Sequence, residues 1–391
     1  MGARQLRHGT KLSLRKKPAA FTCHSQVPSR LPHTTSHPEF FPTQAQEVKE
    51  QAALDFMSRM QRSTIDSASL TCPVETAYLG PSEYGSQHQD QAPVLLLHGF
   101  DSSSLEFRRL LPLLERSLEA WAVDLVGWGF SDSGAASQRN MKLGPKQKRD
   151  HLYAFWKEKI KRPMIVVGTS LGGAIAMDFA LEYPQAVKKL VLVDAQGFLD
   201  GLGPWRVAPK FLINLLVQVL KSTAIRKYAG DLAYKDKALA TDDALLIGRL
   251  HTYLSGWAEA NIAFIQSGGY SLSKRIPLVQ QECLVVWGRN DKILKPEYAE
   301  QFSQVLPKSK LVWVENCGHC PHLEQPQALA DCILDFALTA KAEQGMLSPK
   351  DAGKKSKLSP VTAQLCGILV AFDSIQKQSY TVDLRYTPRR W

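Results

Sequence analysis

The stretch Ile165-Val-Val-Gly-Thr-Ser-Leu-Gly-Gly173 carries the clearest chemistry in the chain. An apolar run leads into Gly-x-Ser-x-Gly, and helix-forming residues from Ala174 to Pro184 follow. This is the pattern of a nucleophile elbow, a tight strand-to-helix turn that thrusts a serine hydroxyl out at the C-terminal edge of a sheet. Gly168 and Gly172 suit the turn because side chains there would collide across it. The amide of Leu171 then opens a helix and points to where negative charge develops on a carbonyl oxygen under attack. The implied reaction is acyl transfer, with Ser170 attacking a carbonyl carbon. A serine hydroxyl is a weak nucleophile near neutral pH, so it requires a base within hydrogen-bond reach and an acid to orient that base.

A second reactive stretch is Asn316–Pro326, NCGHCPHLEQP, with Cys317, His319, Cys320 and His322 inside six residues. These are zinc-ligand types, but zinc sites pair ligands across two spaced halves, and the chain has no second cluster. Four ligands packed this tightly would strain the backbone, so no metal is expected. Cys317 and Cys320 read as small apolar packing residues.

The elements that must position these groups follow from hydrophobic patterning. Short, non-alternating apolar runs occur at 94–98, 120–125, 164–168, 190–193, 284–288 and 310–314. Runs of this kind are expected of strands buried on both faces of a parallel sheet. Helix-length segments lie between them, at 107–117, 146–159, 171–183, 296–306 and 327–340, and residues 45–62 also have helical periodicity. The alternation predicts an α/β fold, a mostly parallel sheet with helices on both faces. From about 198 to 278 only helical patterning appears, and ~80 residues are too many for a connecting loop. That interval is expected to form an inserted helical cap.

Over roughly Thr71–Ala340 the chain resembles the α/β-hydrolase superfamily. Leu95–Phe107, LLLHGFDSSSLEF, is similar to the family's His-Gly motif after its third strand, and Val123–Asp132 resembles its Asp-x-x-Gly-x-Gly-x-Ser segment. The resemblance implies that the Phe100 backbone N–H is a second oxyanion donor, beside Leu171. Asp124 and Ser131 are expected to form turns. The family's order of Ser, then Asp or Glu, then His points to Asp291, in the loop after Leu284–Gly288, as the orienting acid, with Asp194 in reserve. It points to His319, after Gly318 and ahead of Glu324 and Pro326, as the base; His322 reads as a supporting or surface residue. Epoxide hydrolases and haloalkane dehalogenases carry an aspartate at the elbow, whereas Ser170 stands here. The overall look is similar to epoxide-hydrolase-like plant proteins, bacterial carbon–carbon bond hydrolases and hydrolase-derived plant hormone receptors.

The expected protein is therefore a serine hydrolase, carboxylesterase-like, acting on an ester, thioester or related carbonyl substrate through Ser170, His319 and Asp291, without a cofactor. Its small hydrophobic substrate would bind under the cap against Phe211, Trp257 and Phe264, with Leu212 nearby. The alternatives are a slow-turnover ligand receptor on the same fold, a carbon–carbon bond hydrolase, or a carrier with an idle triad.

The net charge of +11 suggests a nucleic-acid partner only until it is located. Residues 1–38 hold seven Lys/Arg and no acid, and residues 341–391 hold nine against four Asp/Glu. The intervening body is close to neutral, so no nucleic-acid-binding face is expected. The Arg-rich first 40 residues, with no acid before Glu39, have the composition of a transit peptide, pointing to the chloroplast, with mitochondrion or cytoplasm as alternatives. Residues 45–340 should form the hydrolase domain, and residues 341–391 a poorly ordered basic extension. No run is long and apolar enough to span a membrane. Seven cysteines cannot all pair, and a reducing compartment is the simpler expectation. A monomer or weak oligomer is expected.

Overall fold

A computed structural model describes residues 37–83, 85–134 and 141–339. The expected transit peptide lies outside the described residues except for 37–40, and the basic extension lies outside them entirely.

The six apolar runs form strands β3 (Val94–Leu97), β4 (Ala120–Val123), β5 (Met164–Thr169), β6 (Val187–Val193), β7 (Glu282–Gly288) and β8 (Ser309–Val314), all parallel. They are preceded by β1 (Gln61–Ile65) and β2 (Val74–Leu79), which add antiparallel to give the order β1-β2-β4-β3-β5-β6-β7-β8. β3 and β5 are buried at every position. Alternate residues feed opposite faces: Leu95, Leu97 and Val166 join one core, and Val94, Leu96, Ile165 and Val167 the other. Two buried faces explain why these strands read as continuous apolar runs.

The helices, in chain order, are α1 (Gln51–Arg59), α2 (Leu111–Leu114), α3 (Pro145–Phe155), α4 (Leu171–Glu182), α5 (Lys210–Lys221), α6 (Thr223–Ala233), α7 (Asp242–Arg249), α8 (Trp257–Ser267), α9 (Glu297–Val305), α10 (Pro321–Glu324) and α11 (Pro326–Leu338). α3, α4 and α9 pack into the first core, and α1, α2 and α11 into the second. Helices α5–α8 all fall between β6 and β7, where no strand occurs among the described residues. Ser222 and Thr241 cap α6 and α7, their hydroxyls accepting from the amides of Ile225 and Ala244.

The structure corrects one boundary. The helical periodicity read over 45–62 ends at Arg59, and Gln61–Ile65 turns into the edge strand β1. Gln61-Arg-Ser-Thr is polar and partly exposed, so a strand here leaves no continuous apolar run to find. Among the described residues no helix is long and apolar enough to cross a membrane.

Candidate active site

Ser170 sits between β5 and α4 with φ 49° and ψ −121°, a conformation that L-residues rarely adopt. Its neighbours hold it there. The Ser170 amide donates to Val193 O at 3.0 Å, and Ser170 O accepts from the amides of Gly173 (3.0 Å) and Gln196 (2.9 Å). A Cβ on Gly168 would lie 2.3 Å from Gly172 O, and one on Gly172 would lie 2.2 Å from Leu97 O. The turn therefore admits only glycine at both positions.

Asp291 and His319 meet across the tips of β7 and β8, with Asp291 Oδ2 2.7 Å from His319 Nδ1. The other carboxylate oxygen of Asp291 accepts from the amides of Ile293 (2.7 Å) and Leu294 (3.0 Å). These bonds fix the carboxylate plane, and the Asp291 contact places the His319 proton on Nδ1, leaving Nε2 as the basic nitrogen. Asp194, the reserve acid, is also close but is already committed elsewhere. Its Oδ1 accepts from Gly288 N at 2.9 Å, and burial together with the charge of Asp291 holds its carboxyl far above the usual carboxylate range.

Ser170, Leu171 and His319 line one cavity of about 380 Å³ beneath α6 and α7. The loop after β3 runs along its floor, and a Cβ on Gly99 would lie 3.4 Å from Ser170 Cβ. His98 Nε2 accepts from the Leu125 amide at 3.1 Å, so its Nδ1–H donates to Gly99 O at 2.9 Å. The Gly99–Phe100 peptide is trans, so the Phe100 N–H points away from His98. Burial pushes the His98 imidazole down to about 3, keeping it neutral for this bridging role. Asp124 and Ser131 hold turns as expected: Asp124 accepts from the Ser104 and Phe130 amides, and the Ser131 hydroxyl donates to Asp124 O.

The three residues expected at the substrate separate. Phe264 lines the cavity and packs against Phe100 with ring centroids 5.8 Å apart. Trp257 is buried behind the wall, its Nε1–H donating to Asp101 at 2.6 Å. Phe211 is 69% exposed. The inward face of α5 consists of Ile213, Leu216 and Val217, and Phe211 falls on the opposite side of the helix, as does Leu215. Leu212, also exposed, does not line the cavity either. Apolar identity did not reveal which face of α5 turns inward.

Of the two alternatives for His322, supporting or surface, the surface one falls: the side chain is buried. Burial and the neighbouring His319 and Arg108 push it down to about 3, and its ring packs on Phe107 at 5.6 Å. Glu106 was missed altogether. It lines the cavity, accepting from the Ser102 hydroxyl (2.6 Å), the Thr169 hydroxyl (2.5 Å) and the Gly99 amide (3.3 Å). Burial pushes its carboxyl up to about 7. A charged residue four positions after Ser102 reads from sequence as a helix-surface group, and nothing local announces that it turns into the cavity.

Among the described residues one set of three potential metal ligands converges, Asp194, Asp291 and His319, with ligand atoms within 4.8 Å of one another. Cys317, Cys320 and His322 stand outside it. Burial pushes both thiols up, so they remain protonated. Within the set, Asp291 is turned on His319 and on the Ile293 and Leu294 amides, and Asp194 Oδ1 on the Gly288 amide.

The profile of the α/β hydrolase family matches residues 94–332. The chain is 38% identical over 311 residues to the α/β hydrolase domain-containing protein VTE7 of Arabidopsis thaliana, covering 77% of this chain and 90% of that protein. It is 26% identical over 258 residues to Lipase 1 of Psychrobacter immobilis, covering 64% of this chain and 78% of the lipase. The fold is similar to that of a thermophilic esterase from Thermogutta terrifontis, with a TM-score of 0.58 at 21% identity, covering 71% of this chain and 97% of the esterase. The chain belongs to the α/β hydrolase family.

Proposed function

We propose that the protein is a serine hydrolase that cleaves hydrophobic esters, thioesters or related carbonyl compounds through an acyl-enzyme on Ser170. The observation that carries this reading is the 2.7 Å Asp291–His319 pair facing the same cavity as a serine held at φ 49°.

In this mechanism His319 Nε2 takes the Ser170 proton as Oγ attacks the carbonyl carbon, while Asp291 stabilises the imidazolium. The Leu171 amide, at the start of α4, and the Phe100 amide, directed by His98, receive the developing oxyanion. Collapse of the tetrahedral intermediate expels the leaving group, which takes the proton from His319. A water deprotonated by His319 then attacks the acyl-enzyme, and the acid leaves with Ser170 restored. Leu199, Leu202, Leu245 and Phe264 give the cavity its apolar wall, which suits a hydrophobic acyl or alcohol part. The acid-free N-terminal segment and the resemblance to a plant relative favour a chloroplast location.

The test is labelling with a fluorophosphonate probe and hydrolysis of p-nitrophenyl esters of increasing chain length, for the protein and its Ser170→Ala variant. Labelling and turnover in the first alone are expected. Labelling that persists in Ser170→Ala, or turnover unaffected by it, overturns the proposal.

A further inference from the structure

Asp101 immediately follows the proposed oxyanion donor Phe100, and its backbone is strained, with φ 46°. Aspartate tolerates this left-handed conformation better than most residues but does not prefer it. Its carboxylate is buried, and the donors on it come from the helices between β6 and β7. Oδ1 accepts from Trp257 Nε1 (2.6 Å) and Asn261 Nδ2 (3.1 Å) of α8, and from His251 Nε2 (3.2 Å) in the turn Leu250–Tyr253. Oδ2 pairs with Arg226 of α6, whose guanidinium also donates to the Asp101 carbonyl at 3.3 Å. Burial alone would raise the Asp101 carboxyl, but Arg226 and the hydrogen bonds hold it well below the usual range. Asn261 Oδ1 in turn accepts from Trp128 Nε1 at 3.1 Å, and Trp128 packs edge-on against the Phe100 ring at 5.3 Å.

The loop that carries the Phe100 amide is thus held from two directions. On the sheet side His98 fixes the Gly99–Phe100 peptide. On the cap side Asp101 fixes the turn that follows. We propose that Asp101 is a positioning residue which couples docking of the cap to assembly of the oxyanion hole. This role rests on the serine-hydrolase reading and on Phe100 as an oxyanion donor. Separating α6 and α8 from the loop would strip the Asp101 carboxylate of Arg226, Trp257 and Asn261 and leave a left-handed residue with little support, and the hole would lose its geometry. Formation of the hole then requires the closed cap.

The experiment compares Asp101→Asn, Asp101→Ala and Trp257→Phe with the unaltered protein. Active sites are counted by endpoint fluorophosphonate labelling. Kinetics use a p-nitrophenyl ester, and inhibition uses an alkyl trifluoromethyl ketone, whose hemiketal oxyanion occupies the hole. Asparagine accepts the same backbone conformation and keeps an acceptor for Trp257, so about a tenfold loss of kcat is expected, against about 100-fold for Asp101→Ala. KM should stay within about threefold, and ketone affinity should fall in parallel with kcat. Trp257→Phe removes one donor, keeps the packing, and should show the same signature more weakly. Unchanged kcat per labelled serine in all three variants overturns the role, as does a raised KM with unchanged kcat and ketone affinity, which marks a residue that only shapes the pocket. Failure of the unaltered protein to label overturns the serine-hydrolase reading itself, and this role with it.

Discussion

The amide of His319 donates a hydrogen bond to the carbonyl of Ala233, the last residue of α6, at 2.7 Å. The proposed base is therefore attached to the cap as well as to β8. Glu324 reinforces the junction by accepting from the amides of Gly318 (3.3 Å), Lys235 (2.9 Å) and Asp236 (3.3 Å). A Cβ on Gly318 would lie 2.2 Å from Ala233 O, so the two segments can meet only with glycine there. Gly318→Ala should separate them, lowering kcat at least about tenfold and stability by about 1–3 kcal/mol. Ester kinetics and thermal melting on one preparation check both.

Two aspartates flank the site, and amidation should distinguish them. Asp291→Asn leaves the His319 ring without its Nδ1–H acceptor and should cost about 10⁴-fold in kcat. Burial and the charge of Asp291 push the Asp194 carboxyl upward, and its Oδ1 contacts the Gly288 amide rather than His319, so Asp194→Asn should remain within about threefold of the unaltered rate. Steady-state kinetics of the two variants decide the assignment, and the opposite ranking would transfer the role of acid to Asp194.

The strain at Ser170 should be visible as stability. Glycine occupies φ 49°, ψ −121° more readily than serine. Ser170→Gly should be inactive yet more stable by about 1 kcal/mol, a Tm gain of roughly 2–4 °C. A melting curve at or below that of the unaltered protein would show that the elbow is relaxed.

Glu106 predicts a pH dependence with a defined sign. Its carboxyl is raised from an ordinary value of 4.5 to about 7, so the fold favours the protonated form. Its contribution is fully present below pH 4.5 and is lost as pH rises through 7, on the order of 3 kcal/mol in all. Glu106→Gln stays neutral throughout. The Tm of the variant minus that of the unaltered protein should therefore increase between pH 5 and pH 8. A constant difference would exclude this titration.

Exposure predicts which apolar residues matter to the substrate. Phe211→Ser should leave kcat and KM for a soluble ester unchanged, whereas Phe264→Ala, in the cavity wall, should raise KM about tenfold or more. Kinetics on a short and a long acyl ester test the pair.

Local patterns in the chain determined the parallel strands, the elbow and the loops that hold Asp291 and His319. Each depends on interactions close in sequence: a strand buried on both faces must be apolar throughout, and the turn at Ser170 needs Gly168 and Gly172. The polar edge strand β1 left no such mark, because an exposed edge imposes no continuous apolar run, and in β2 Glu75 and Thr76 interrupt the apolar residues. Tertiary structure alone decided the rest. Asp101 and its cap donors are 125–160 residues apart in the chain, and Glu106 becomes a largely enclosed carboxyl with a raised pKa only when β3, β5 and α10 close around it. The same holds for α5, where Phe211 and Ile213 are both apolar and only the packing of α5 on α8 turns one outward and the other in. Charge pairing and burial across the cap depend on distances that the order of residues does not contain.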